Sequence, residues 1–295
     1  MKDVKGVAVP RGRIAHAELL AVLERGYQRL EQWSSRTARF ARFSPVSGAG
    51  LDLVIKVCER WDAENAEVSV DHALEWAPLG AGGRARVVTF LAWCAEPPTL
   101  VSEHVGGEEL RDYLRDSAGR EAADSVRLLA SIGALLAAIH RIEPAKSSWR
   151  GKRRRHRVVC AGDFAVYNFR LGEAGEAVYL EPPAARQVVS RFRDLAWFLA
   201  SLRLRLVRSN PERMLLSRAF LEGYRSVLGP GWSSCATLSL RVALFRRETL
   251  QTLRRWRRRW RVALGVLRSR PLPAGQVPEA TAKARKSGAD SSSSS

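Results

Sequence analysis

Apolar positions over residues 14–34 recur near every 3.6 residues, with Leu19, Leu20, Val22, Leu23, Tyr27 and Leu30 on one face. That spacing predicts an amphipathic helix. The pattern then changes. Phe40 and Phe43 precede the turn-rich run Ser44-Pro45-Val46-Ser47-Gly48-Ala49-Gly50, and Leu51 to Val57 is mostly apolar with Asp52 and Lys56 inside it. Two strands joined by a hairpin turn fit residues 37–57. A helix is expected over 62–77, followed by strands over 86–94 and 99–103 on either side of Pro97-Pro98.

From Glu108 the pattern is mostly helical. Helices are expected over 108–116 and 121–142, the second with Val126, Leu129, Ile132, Leu136 and Ile139 on its apolar face. Strands at 157–160, 168–171 and 177–181 follow, the last two a hairpin turning at Gly172 to Glu176. Helices at 191–208, 211–228 and 237–268 complete the chain before a Pro-, Ala-, Ser- and Lys-rich tail at 271–295 with the composition of disorder. A strand-rich first third and a helical remainder predict an α+β protein of two lobes. The first would span 1–104 and the second 105–270, with a hinge near 100–107. A nucleotide-sized ligand would lie in the cleft between them.

Composition narrows the classes. Hydrophobic residues make up 46% of 295, with nine tryptophans, which argues for a folded core over a disordered chain. The cysteines at 58, 94, 160 and 235 lack metal-ligand spacing and point to a reducing compartment. Met1 to Arg13 is polar and basic, unlike a secretory signal. The continuous apolar runs are about a dozen residues, short of a bilayer span, so a cytoplasmic location is expected.

The net charge of +19 is local: residues 150–157 carry +6 and residues 241–270 carry +10. Local patches bind anions better than a diffuse excess does.

The stretch Cys160-Ala161-Gly162-Asp163-Phe164-Ala165-Val166-Tyr167-Asn168 carries the chemistry. Asp163 stands four intervening residues before Asn168, and Glu181 lies thirteen residues further on, after the run Ala177-Val178-Tyr179-Leu180. A base, a metal ligand and a second metal ligand thus follow in the order of a kinase catalytic loop and metal-binding strand end. Other segments agree in order: Val54-Ile55-Lys56, Leu100 to Gly107 with Leu110 following, and Asp194-Leu195-Ala196-Trp197-Phe198-Leu199. Over residues 38–205 the chain resembles the aminoglycoside-phosphotransferase-like branch of the protein-kinase-like fold, which includes small-molecule and lipopolysaccharide-core kinases.

The resemblance implies ATP and Mg²⁺ as cofactors and assigns roles. Lys56 would neutralise the nucleotide phosphates, held by Glu75 in preference to Glu67. The backbone from Glu103 to Val105 would pair with the adenine edge. Asp163 would take the acceptor's hydroxyl proton, Asn168 and Glu181 would ligate magnesium, and Asp194 would fix the catalytic loop through its backbone. Two positions depart from the family. Ala161 stands where a histidine is usual, and Glu181 where an aspartate is usual. The longer carboxylate must shift by about an ångström to reach the same metal, a displacement that can cost about a hundredfold. The segment Ser44 to Gly50, expected to face the phosphates, has no G-x-G-x-x-G.

The basic loop 149–157 leads into the catalytic loop and could hold an anionic acceptor. In the last helix, tryptophans and leucines share one face and arginines crowd the rest, the composition of an interfacial membrane helix over 241–268. Nucleic acid would suit the arginines, but no nucleic-acid-binding motif accompanies them. The expected activity is an ATP- and Mg-dependent phosphotransferase. It would act on a hydroxyl of a small-molecule or lipid-linked acceptor, an anionic glycan among the options, at the inner membrane face. The alternative is a pseudokinase scaffold that binds a partner or an anionic membrane surface.

Overall fold

The computed structural model describes residues 8–35, 38–58, 83–116, 122–142, 157–181, 184–205 and 210–228 and, between 240 and 250, all but 242, 245 and 248. Residues up to Glu248 form one compact unit and those from Thr249 a second. The elements named here belong to the first.

The chain enters through a short strand, β1 (Gly12–Arg13), and helix α1 (His16–Gly26). Leu19, Val22 and Leu23 are the buried stripe of α1. The helix expected to run to 34 stops eight residues earlier. At Tyr27 the backbone turns extended, and the Tyr27 N–H donates to the Leu23 carbonyl. Strand β2 (Tyr27–Ser34) then pairs antiparallel with β3 (Ala38–Pro45). Leu30, counted on the helical stripe, is 46% exposed. Cross-strand pairing outweighs the helical spacing here, as Trp33 stacking on Phe40 illustrates.

Six strands form the main sheet: β4 (Leu53–Cys58), β6 (Phe90–Cys94) and β7 (Thr99–Glu103) join the first three in the order β1-β6-β7-β4-β3-β2. All five residues of β6 are buried. Strand β5 (Ala85–Val87) belongs elsewhere. It pairs in parallel with β10 (Ala177–Tyr179), whose other neighbour is β9 (Phe169–Leu171). A third pair joins β8 (Arg157–Cys160) to β11 (Ala184–Ser190), a strand the sequence pattern did not predict.

The helical part contains α2 (Leu110–Asp116), α3 (Ala122–Arg141), α4 (Arg191–Arg205) and α5 (Asn210–Leu228), all within a few residues of expectation. Helices α3 and α5 cross very closely, because a Cβ on Gly133 would collide with the Phe220 carbonyl and one on Gly223 with the Ala130 carbonyl. Leu129, Ile132, Leu136 and Ile139 of α3 are wholly buried. They share one core with an aromatic cluster of Phe164, Phe169, Tyr179, Phe198 and Phe220. By length and composition alone Ala123–Arg141 could cross a membrane, and 56% of its most apolar 18-residue stretch is buried within the protein, as in a core helix.

The expected helix at 62–77 with Glu67 and Glu75, the basic loop up to 156, most of the arginine-rich helix and the tail at 271–295 lie outside the described residues.

Candidate functional site

A cleft of about 730 Å³ opens between the main sheet and the loops that follow β8 and β10. Lys56 lies on β4 opposite Phe40 of β3 on one side and Leu100 of β7 on the other. Alternation along the strands turns Val54, Lys56, Leu100 and Ser102 to the cleft. Glu181, 125 residues away in sequence, comes to Lys56 from the end of the β9–β10 hairpin. The Lys56 ammonium lies 2.7 Å from both carboxylate oxygens. The side chains are 17% and 28% exposed, so the pair is screened less than a surface ion pair.

The Lys56 ammonium also sits 5.7 Å from the Phe40 ring centroid, and Phe40 stacks on Trp33 with centroids 5.4 Å apart. The β2–β3 end of the hairpin therefore covers Lys56. This corrects the expectation for Ser44 to Gly50. No residue of that turn lines the cleft. Its Ser44 hydroxyl donates to Asp52 at 2.6 Å, and Arg42 donates to the same carboxylate at 2.7 Å. Those two hydrogen bonds hold the Asp52 carboxyl below its usual range. His104 is pushed the same way, first by burial and then by the Arg42 charge.

The expected hinge is partly committed to structure. The Glu103 N–H donates to the Thr89 carbonyl, while its carboxylate accepts from Arg86 and from the Thr89 N–H. The Glu103 side chain is therefore a brace. Glu103 and Val105 both line the cleft, but Val105 differs in that, among the described residues, its backbone N–H and C=O have no hydrogen-bond partner.

Strand β8 delivers the loop Ala161-Gly162-Asp163. Gly162 has φ +79°, a left-handed conformation that a glycine takes without strain. Both peptide groups of Ala161 are held. Its N–H donates to Asp194 at 2.8 Å, and its carbonyl accepts the Tyr179 hydroxyl at 2.5 Å. Burial pushes the Tyr179 hydroxyl well above its usual range, so it stays a donor. Asp194 is itself positioned by His140, 3.2 Å away, whose other ring nitrogen lies 2.8 Å from the Tyr224 hydroxyl. A carboxylate only accepts, so His140 Nε2 carries a proton toward Asp194. His140 and Asp194 side chains are essentially inaccessible to solvent.

Asn168 donates its amide to the Asp163 carbonyl at 2.6 Å. That bond turns the Asn168 side-chain oxygen away from the loop. Asn168 and Glu181 both line the cleft. Among the described residues no three His, Cys, Asp or Glu side chains cluster as a metal cage. One amide oxygen and one carboxylate instead suit magnesium, which takes few protein ligands and completes its shell with phosphate oxygens and water. Asp163 is not a lining residue of the cleft. Its carboxylate accepts from the Tyr167 hydroxyl, at 2.9 and 3.0 Å to the two oxygens.

The structure thus brings Lys56, Glu103, Val105, Asn168 and Glu181 to one cleft, and Asp163 and Asp194 are not among its lining residues. Three supporting residues escaped the sequence reading: His140, Tyr167 and Tyr179. For Tyr179 a signal existed, since a tyrosine inside a buried strand needs an acceptor for its hydroxyl. No protein-family model matches the chain, and no curated protein matches it.

Proposed function

We propose that the protein is an ATP- and magnesium-dependent phosphotransferase of two-lobed, kinase-like fold, acting on a hydroxyl of a small-molecule or lipid-linked acceptor. The observation that carries this reading is the meeting of Lys56 with Asn168 and Glu181, from two distant stretches of the chain, on one cleft beside the open Val105 backbone. Val105 pairs with the base edge, and Val54 and Leu180 contribute apolar walls. Lys56 moves from Glu181 to the phosphates. Asn168 and Glu181 hold magnesium, which would neutralise charge on the transferring phosphoryl group. Asp163 accepts the proton of the attacking hydroxyl. The basic segments 150–157 and 241–268 favour an anionic acceptor or membrane surface.

Calorimetric titration with ATP, with and without magnesium, tests this. Magnesium-dependent binding that disappears in Lys56→Ala supports it. Absence of binding under either condition sinks it.

One observation favours a second reading. Lys56 and Glu181 satisfy one another through both carboxylate oxygens, an arrangement suited to a pseudokinase scaffold that has closed its phosphate site. In that case neither the native protein nor Glu181→Asp transfers phosphate.

A further inference from the structure

A general base must lie within about 2.6–3.2 Å of the hydroxyl it deprotonates. Asp163 already meets that condition with a hydroxyl of its own chain. Tyr167 lies in the single helical turn Val166–Asn168, and its phenol is 2.9 Å from one Asp163 carboxylate oxygen and 3.0 Å from the other. Among the described residues no other group donates to the Asp163 side chain. Tyr167 lines the cleft together with Lys56, Asn168 and Glu181, whereas Asp163 does not. The hydroxyl hydrogen-bonded to the base thus belongs to a residue of the cleft wall.

We infer that Tyr167 is a phosphate acceptor, and that the protein phosphorylates itself on this residue from a nucleoside triphosphate bound in the cleft. This rests on the phosphotransferase reading. The phenol oxygen bonds to the γ-phosphorus of ATP. The bond from that phosphorus to the β–γ bridging oxygen breaks, and ADP leaves. The phenol proton passes to Asp163 and then to water. No oxidant or further co-reactant is needed, and no external acceptor has to be known. The product carries close to two negative charges beside Asn168 and Glu181. A modified chain therefore no longer presents its base to an incoming hydroxyl, and self-modification turns the site off.

The test uses the full-length chain with γ-labelled ATP and magnesium, beside calorimetric titration of the same preparations. The expected result is up to about one label per chain, found on Tyr167 by peptide mass spectrometry. Labelling should be lost in Tyr167→Phe, retained in Tyr27→Phe, and reduced about a hundredfold or more in Asp163→Asn, the scale of general-base catalysis. Because Asp163 and Tyr167 belong to one chain, the labelling rate per molecule should not change on tenfold dilution. Intact ATP binding without label, label that survives in Tyr167→Phe, or a rate proportional to protein concentration each overturns the inference while leaving the phosphotransferase reading standing. Absence of ATP binding overturns both. Tyr167→Phe keeps the ring, and its circular dichroism and ATP affinity report whether the fold and cleft persist.

Discussion

The Tyr179 hydroxyl donates to the Ala161 carbonyl from the β10 side, while Asp194 accepts the Ala161 N–H from α4. Tyr179 and Asp194 together grip one residue at the head of the Gly162-Asp163 loop. The loop is thus supported by a strand and a helix.

Tyr179→Phe should therefore be costly without leaving a cavity. It strands a buried carbonyl, a loss of about 1–3 kcal/mol. For a unit of this size that corresponds to a fall in Tm of roughly 2–12 °C. Thermal unfolding followed by circular dichroism checks it. An unchanged Tm would show that water replaces the hydroxyl.

Glu181→Asp should strengthen nucleotide binding. The native carboxylate engages Lys56 through both oxygens, and phosphates must break that pair to bind. An aspartate, one methylene shorter, holds Lys56 less well. A gain of up to about tenfold in ATP–magnesium affinity, or about 1.4 kcal/mol, is expected, and isothermal titration reads it directly.

Gly133→Ala sets two effects against each other. Alanine favours a helix over glycine by about 1 kcal/mol. The added methyl would also lie 2.8 Å from the Tyr224 nitrogen and collide with the Phe220 carbonyl. Helices α3 and α5 would have to part, and overpacking of that kind typically costs about 1–3 kcal/mol. The clash is with backbone, which cannot rotate away, so the net effect is destabilising. A lower denaturant midpoint in urea is expected, and a raised one would refute the close crossing.

Alkaline pH should unfold the protein earlier than its surface charge suggests. Burial pushes the Cys58 thiol from 9.0 up to about 11 and the Cys160 thiol up to about 12. The unfolded thiols ionise near their ordinary values, so the unfolded state loses protons first. Stability from these groups is complete below about pH 9 and falls as pH rises through 11–12, by about 1.4 kcal/mol per pH unit for each thiol. Urea midpoints between pH 8 and 11 measure the slope, and Cys160→Ala should flatten it. At pH 8 the same burial should leave Cys58 and Cys160 slow to react with alkylating reagents.

Much of this architecture was legible in the sequence where the periodicity was long. The apolar stripe from Leu129 to Ile139 located α3, and Asn168 and Glu181, singled out by their spacing, line one cleft, which Asp163 does not. Short elements were harder. Gly26 ends α1, yet Tyr27 and Leu30 continue its spacing by coincidence, and only the pairing with β3 resolves them. The turn Ser44 to Gly50 was expected to face the phosphates, although it has no G-x-G-x-x-G. Which end of β3 meets the cleft is decided by sheet register, which local composition does not encode. Glu103 was expected to offer its backbone to the adenine edge, but its N–H pairs with Thr89, and Arg86 and Thr89 claim its carboxylate, contacts that no local pattern encodes. His140 and Tyr179 act through partners far away in sequence, and Tyr167 through a contact that the Asp163–Asn168 spacing does not encode, so no motif marks them.

Only Val88 and Thr89 separate β5, which pairs with β10, from β6, which is woven into the main sheet. The Val88 N–H donates to the Tyr179 carbonyl, and Arg86 reaches both Glu103 and Glu176. Two residues of chain and these bonds thus tie the smaller sheet, with Tyr179 and its grip on Ala161, to the sheet that carries Lys56. The loop that holds Asp163 and the strand that holds Lys56 are therefore coupled through backbone as well as through side chains.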